Sequence, residues 1–146
     1  MPALEFTKAP EVEEIAQERI QSVHRHLIGQ RIGYVFRSEC TKSKGCEIWA
    51  TANKLGPREA YFAKCDLLID VAEDIWYTLT PAQQVALIDH ELCHFALGPK
   101  ERIVLRGHDF EDFHEILARH GLWADHLKPL AGALEANVMM ELGSMD

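Results

Sequence analysis

The stretch TPAQQVALIDHELCHFALGP, residues 80–99, carries the clearest secondary-structure signal in the chain. It opens with an N-cap residue, a first-turn proline and a capping-box partner, which are Thr80, Pro81 and Gln83. It closes on a glycine and a proline, which commonly end helices. We therefore predict a helix over 81–97. Its apolar residues recur at helical spacing and would face a core: Val85, Ile88, Leu92 and Phe95.

Within this helix, His90, Glu91 and His94 form an H-E-x-x-H pattern. Residues four apart lie one turn above another, so the two imidazoles can reach one metal ion from the same side. The glutamate points past them, where it can accept the proton of an attacking water and pass it to a leaving amine. The pattern predicts a catalytic zinc site with His90 and His94 as ligands and Glu91 as the catalytic residue. The alternative is a polar helix flank with ordinary contacts between successive turns.

A catalytic zinc ion usually has three protein ligands and one open position. We predict His108 as the third ligand, because it precedes Asp109, a possible N-cap, and the loop after the motif helix could return it to the metal. Residues of the helix that follows are alternatives: Glu111, Asp112, His114 and Glu115. Other histidines, among them His24 and His26, lack comparable spacing and are interpreted as surface or capping groups.

The helix and strand signals in the rest of the sequence predict an α+β domain in which a small mixed sheet packs on the motif helix. With 146 residues, it fits one domain over 1–146 with a flexible tail at 143–146. Helices are expected over 10–27, 81–97, 110–119 and 130–142, and strands over 31–38, 46–52, 59–70 and 103–105. The first two strands should pair as a hairpin. Strand 59–70 is either a sheet edge to which an extended peptide could add, or an ordinary interior strand.

Charge and composition exclude some functions. The net charge of −8, from 15 basic and 23 acidic residues, argues against nucleic-acid binding. No apolar run is long enough to span a membrane, and no secretory signal begins the chain. A cytoplasmic protein with its four cysteines reduced is therefore expected. The sequence does not indicate an oligomeric state.

Two segments, DHELCHF at 89–95 and HDFEDF at 108–113, resemble the phage metallopeptidase family, a zincin-like group. The likeness extends through the strand-rich region before the motif and the RHGLW segment at 119–123. It implies a minimal zincin fold, zinc ligands at His90, His94 and His108, catalysis by Glu91, and the cytoplasm of a host cell if the chain is phage-derived. Asp112 stands where a second glutamate is expected. A more distant similarity to SprT-like peptidases lacks their C-terminal zinc ribbon, which weakens any inference of DNA-linked substrates.

Together, these features predict a zinc-dependent metallopeptidase that hydrolyses peptide bonds in a protein or peptide substrate. Three alternatives remain at this stage. The domain could hold zinc without catalysis and bind a partner, or be a metal-free module whose histidines lie on the surface. It could also be a metal-dependent amidase acting on a non-peptide bond, because such an enzyme would share the same chemistry.

Overall fold

The computed structural model describes residues 3–43, 45–107, 114–121 and 123. The chain divides into two units, Met1–Gly107 and His108–Asp146. One domain over 1–146 therefore stays a prediction, and the predicted helix over 130–142 and the tail lie outside the described residues. In the second unit, α5 (His114–His120) matches part of the helix predicted over 110–119.

The first unit contains four helices and eight strands among its described residues. The helices are α1 (Pro10–Ser22), α2 (Pro57–Ala63), α3 (Glu73–Trp76) and α4 (Pro81–Cys93). Short 3₁₀ turns span Arg25–Leu27 and Pro99–Glu101. The strands are β1 (Phe6–Lys8), β2 (Ile32–Arg37), β3 (Thr41–Ser43), β4 (Cys46–Ile48), β5 (Ala50–Lys54), β6 (Leu67–Ala72), β7 (Phe95–Leu97) and β8 (Ile103–Leu105).

Four strands form one mixed sheet in the order β1-β2-β6-β5. Strands β2 and β6 are parallel, and the pairs β1–β2 and β5–β6 are antiparallel. A parallel pair needs a long crossover, here supplied by the chain from β3 to α2. Two hairpins, β3–β4 and β7–β8, stand apart from this sheet.

The core lies on one face of the sheet, where α1 contacts both α4 and β2. Alternate residues of β2 and β6 are buried on this face: Phe36, Leu67, Ile69 and Val71. The helices contribute fully buried side chains from their apolar stripes, namely Val12, Ala16, Ile88 and Leu92. The predicted α+β class, with a small mixed sheet, is thus confirmed.

The prediction of a strand over 59–70 is wrong in its first half. Pro57 begins helix α2, with Gly56 as its N-cap, and Lys64 ends it in a left-handed conformation at φ 59°. Only Leu67–Ala72 is a strand, and it lies between β2 and β5. Of the two alternatives for this strand, the interior strand is confirmed and the sheet edge is wrong, because β5 ends the sheet on that side among the described residues.

Other predicted pairings and element boundaries also differ from those in the structure. The predicted hairpin of 31–38 with 46–52 is wrong, because β2 pairs with β1 and β6, while Trp49 divides 46–52 between β4 and β5. The helix predicted over 10–27 ends at Ser22, and the helix over 81–97 ends at Cys93. The short strand predicted over 103–105 is confirmed as β8. No helix in the described part of the chain is long and apolar enough to cross a membrane.

A buried ion pair links β2 to β6, and its arginine also bonds to the β3–β4 hairpin. The Arg37 Nε donates to Asp70 Oδ1 at 2.6 Å, and the other guanidinium nitrogens donate to Thr41 Oγ1 and the Ile48 carbonyl at 2.9 and 2.8 Å. The Arg37 and Asp70 side chains are 6% and 14% exposed. Thr51 also donates to Asp70, so the carboxylate is held from two neighbouring strands.

We expect Arg37→Met to lower the free energy of unfolding by about 3–5 kcal/mol, because it leaves the Asp70 carboxylate buried without its counter-charge. Urea denaturation followed by circular dichroism measures this change. Arg31→Met is the matched control. Arg31, just before β2, also pairs with Asp66, just before β6, but both side chains are exposed, so we expect no measurable change. Equal stability of Arg37→Met and the wild type would contradict the assigned role.

Candidate metal centre

Helix α4 begins with the capping box expected from the sequence. The Thr80 hydroxyl accepts from the Gln83 backbone N–H, and the Gln83 side chain accepts from the Thr80 backbone N–H. The helix buries Ile88 and Leu92 in the core, which fixes its rotation about its own axis. The H-E-x-x-H pattern lies in the last turn of α4, and His94 is the C-cap residue.

The structure brings His90, Glu91 and His94 together. One potential ligand atom from each residue lies within 4.8 Å of those of the other two. The two imidazole rings have centroids 5.3 Å apart and planes inclined at 70°. Glu91 Oε1 is 3.9 Å from His90 Nε2, and the side chains of His90 and Glu91 are only 12% and 5% exposed. Two imidazoles and a carboxylate thus converge in a largely desolvated place.

Arg106, immediately after β8, holds the end of the motif. The His94 Nδ1–H donates to the Arg106 carbonyl at 2.8 Å, and the Arg106 backbone N–H donates to the His94 carbonyl at the same distance. The Arg106 Nε donates to the Cys93 carbonyl at 2.8 Å, so a cationic side chain caps the C-terminal end of α4. Because Nδ1–H donates to a carbonyl, Nε2 is the nitrogen through which a neutral His94 imidazole would bind a metal ion.

A second group of polar side chains is buried on the neighbouring face of α4. His24 donates to Asp89 Oδ1, and Arg19 Nη2 lies 3.4 Å from Asp89 Oδ2. Cys93, one turn after Asp89, has a potential ligand atom within 4.8 Å of those of Asp89 and His24. Cys93 is buried, and so is His24, which is only 4% exposed. The interpretation of His24 as a surface or capping group is therefore wrong.

The predicted third ligand, His108, lies outside the described residues, as do the alternatives Glu111 and Asp112. The alternatives His114 and Glu115 belong to α5 in the second unit. The assignment of ligands and of the catalytic residue therefore stays a prediction. Sequence reasoning also missed His24, His26 and Arg106 as partners of the motif segment. No spacing signal marks them, because each contacts the motif from another part of the chain.

The mixed sheet, helix α4 and the His-Glu-His group have the layout of a small zincin-like α+β domain. The chain belongs to the family described as "Putative phage metallopeptidase", whose model matches residues 4–135. The match includes both segments on which the resemblance depended, 89–95 and 108–113, so the predicted family is confirmed. Comparisons with curated proteins and with solved structures find no match.

Proposed function

We propose that this protein is a zinc-dependent peptidase in which His90, His94 and His108 bind the metal and Glu91 transfers the proton. The observation that carries the proposal is the convergence of His90, Glu91 and His94 at the end of α4. Membership of a metallopeptidase family supports the same chemistry. The substrate would be a protein or peptide.

The described residues fit a zinc ion. Imidazole nitrogens are common zinc ligands, and two ligand atoms on one tetrahedral zinc lie roughly 3–4 Å apart. One ring nitrogen of His90 and one of His94 lie within 4.8 Å of each other. The hydrogen bond from His94 Nδ1 to the Arg106 carbonyl is the outer-shell contact that typically orients a histidine ligand. When bound, zinc would polarise the scissile carbonyl and lower the pKa of water.

Glu91 would carry the proton between the two halves of the reaction. Its carboxylate lies beside the His90 ring in a place that admits little solvent, with the side chain 5% exposed. A carboxylate there can accept a proton from the attacking water, while its low exposure limits exchange with bulk solvent. It can then return that proton to the amine as the peptide bond breaks. The peptide nitrogen thus leaves as a neutral amine.

His108 is our choice for the third ligand because of its covalent distance from Arg106. The Arg106 carbonyl accepts from His94 at 2.8 Å, and His108 follows Arg106 by two residues. His108 is thus the first histidine in the sequence after the segment that bonds to His94. The acidic residues further along the chain are not tethered so closely.

Strand β5 is our candidate for peptide binding, in place of the strand predicted earlier. It ends the four-stranded sheet among the described residues and contacts α4, the helix that carries the motif. A terminal strand leaves backbone groups on its outer side that an extended peptide can use for hydrogen bonds. Such pairing would recognise the peptide backbone and leave side-chain preference to neighbouring residues.

Metal removal tests the proposal. We expect protein purified without chelators to contain about one zinc per chain, and to cleave members of a peptide library. Treatment with a chelator should abolish cleavage. It should also lower Tm, because a ligand whose free concentration is 100 times its Kd stabilises the folded state by about 2.7 kcal/mol. Zinc added back should restore both. Elemental analysis, calorimetry and mass spectrometry of the peptides provide the measurements.

Two results would count against the proposal. Protein that contains no zinc, and whose Tm does not respond to added zinc, would favour a metal-free module. Stoichiometric zinc without cleavage of any peptide would favour a domain that binds a partner.

A further inference from the structure

Two histidines from one short segment contact the two ends of the motif. His24 precedes the 3₁₀ turn Arg25–Leu27, and His26 lies within it. Their rings are 6.2 Å apart between centroids. His24 bonds to the side chain of Asp89, and His26 bonds to the backbone of Phe95. In the sequence, Asp89 immediately precedes His90 and Phe95 immediately follows His94.

The contact at the first end is buried and charged. Asp89 is fully buried, and the His24 side chain is 5% exposed. The His24 Nε2–H donates to one carboxylate oxygen, and Arg19 from α1 approaches the other oxygen at 3.4 Å. A buried carboxylate is stable only when it is paired and hydrogen-bonded, so these contacts tie Asp89 to α1 and the turn after it. Since Asp89 is part of α4, the position of the adjacent His90 is fixed with it.

The contact at the second end acts on the backbone. The His26 Nε2–H donates to the Phe95 carbonyl at 2.6 Å, where α4 has ended and β7 begins. The same segment is also held by the buried Phe95 side chain, by the β7–β8 pairing and by the bonds of Arg106. The bond fixes the direction in which the chain leaves His94. It therefore limits how far the His94 ring can shift relative to His90.

We propose that His24 and His26 are positioning residues that set the spacing of the two metal-binding imidazoles, an inference that rests on the proposed function. Metal sites require ligand positions held within about 0.5 Å, and a single helical turn near a helix end does not meet this requirement without support. His24 and His26 provide that support from one short segment, because both contacts originate within three residues of each other.

The same residues admit another interpretation, in which His24, Asp89 and Cys93 are themselves ligands of a second cation. Two observations favour the positioning role. His24 Nε2 is already engaged with Asp89, and the guanidinium of Arg19 stands at the other oxygen of the same carboxylate. A cation placed there would have to displace the first contact and would be repelled by the arginine.

The test measures metal binding rather than cleavage. His26→Ala should weaken zinc affinity about tenfold or more, measured by competition with a chromophoric chelator, and should change the visible spectrum of the cobalt-substituted protein. His26→Gln should recover most of the affinity and the spectrum, because its amide can donate to the same carbonyl. His24→Ala and His24→Gln should behave in the same way. Where His24→Ala does not fold, the exposed His26 position still decides the result.

Arg25→Ala is the matched control, because Arg25 lies between the two histidines but is exposed, and its side chain donates to the Gln21 carbonyl of α1 rather than to the motif segment. It should keep the zinc affinity and the cobalt spectrum of the wild type. Wild-type affinity and spectrum in His26→Ala would overturn the inference. Two zinc equivalents in the wild type, one of them lost in His24→Ala, would overturn it in favour of a second cation site. A wild type that binds no zinc would instead defeat the proposed function.

Discussion

Glu91→Gln is expected to lose about 10²–10⁴-fold in kcat while keeping its zinc, because the amide cannot accept and return the proton. The substitution is nearly isosteric, so the packing of this 5% exposed side chain should be preserved. The kcat is measured on the best peptide found in the library, and zinc content is measured by elemental analysis. Loss of turnover with full metal content separates a role in proton transfer from a role in metal binding.

Glu101→Gln serves as the matched control for Glu91→Gln. Glu101 is an exposed carboxylate in the turn before β8, outside the convergence of His90, Glu91 and His94. We expect its kcat to equal that of the wild type. This result would show that the loss of one negative charge from the first unit does not by itself reduce kcat. Turnover of Glu91→Gln at the wild-type rate would refute the catalytic assignment of Glu91.

His90→Ala and His94→Ala are each expected to reduce bound zinc from about one equivalent to almost none, since each removes one of the few protein ligands of a catalytic ion. Cleavage should disappear with the metal. Because zinc binding stabilises only the folded chain, added zinc should no longer raise Tm in either variant. Elemental analysis and calorimetry with and without zinc check both expectations.

The same measurement on His108→Ala identifies the third ligand. An equal loss of zinc assigns His108 to the metal, whereas full zinc content would exclude it and direct attention to Glu115 through Glu115→Gln. His90→Ala or His94→Ala with full zinc content would show that the metal, if any, binds elsewhere. Full zinc content in His90→Ala, or in His94→Ala, would therefore contradict the proposed metal site.

Sequence reasoning succeeded where the signal is local. The start of α4 was predictable because Thr80 and Gln83 bond to each other across one turn. The grouping of His90 with His94 follows from helical spacing alone. In contrast, the segment 59–70 alternates between apolar and polar residues in a way that a short helix and a strand can share, and Pro57 was the stronger signal. Strand pairing failed as well, because the parallel β2–β6 register depends on residues 35 positions apart.

The environment of the site could not be predicted for the same reason. His24 and His26 meet the motif across 65 and 69 residues, and Arg106 meets it across 12 and 13. None of these separations corresponds to a helical or strand repeat in the sequence. A lone histidine near a helix end therefore resembles a surface group. Burial distinguishes His24 from a surface histidine, and that burial depends on how α1 packs against α4.

The parallel pairing of β2 with β6, and the bonds from residues 24 and 26 to residues 89 and 95, also bear on the order of folding. Contacts between such distant parts of a chain form slowly, because large loops must close first. During synthesis the N-terminal segment emerges well before its partners. The contacts of α1 and the following turn with α4 therefore form only after α4 has been made. The ion is accordingly expected to bind late, to a nearly complete fold, rather than to nucleate it.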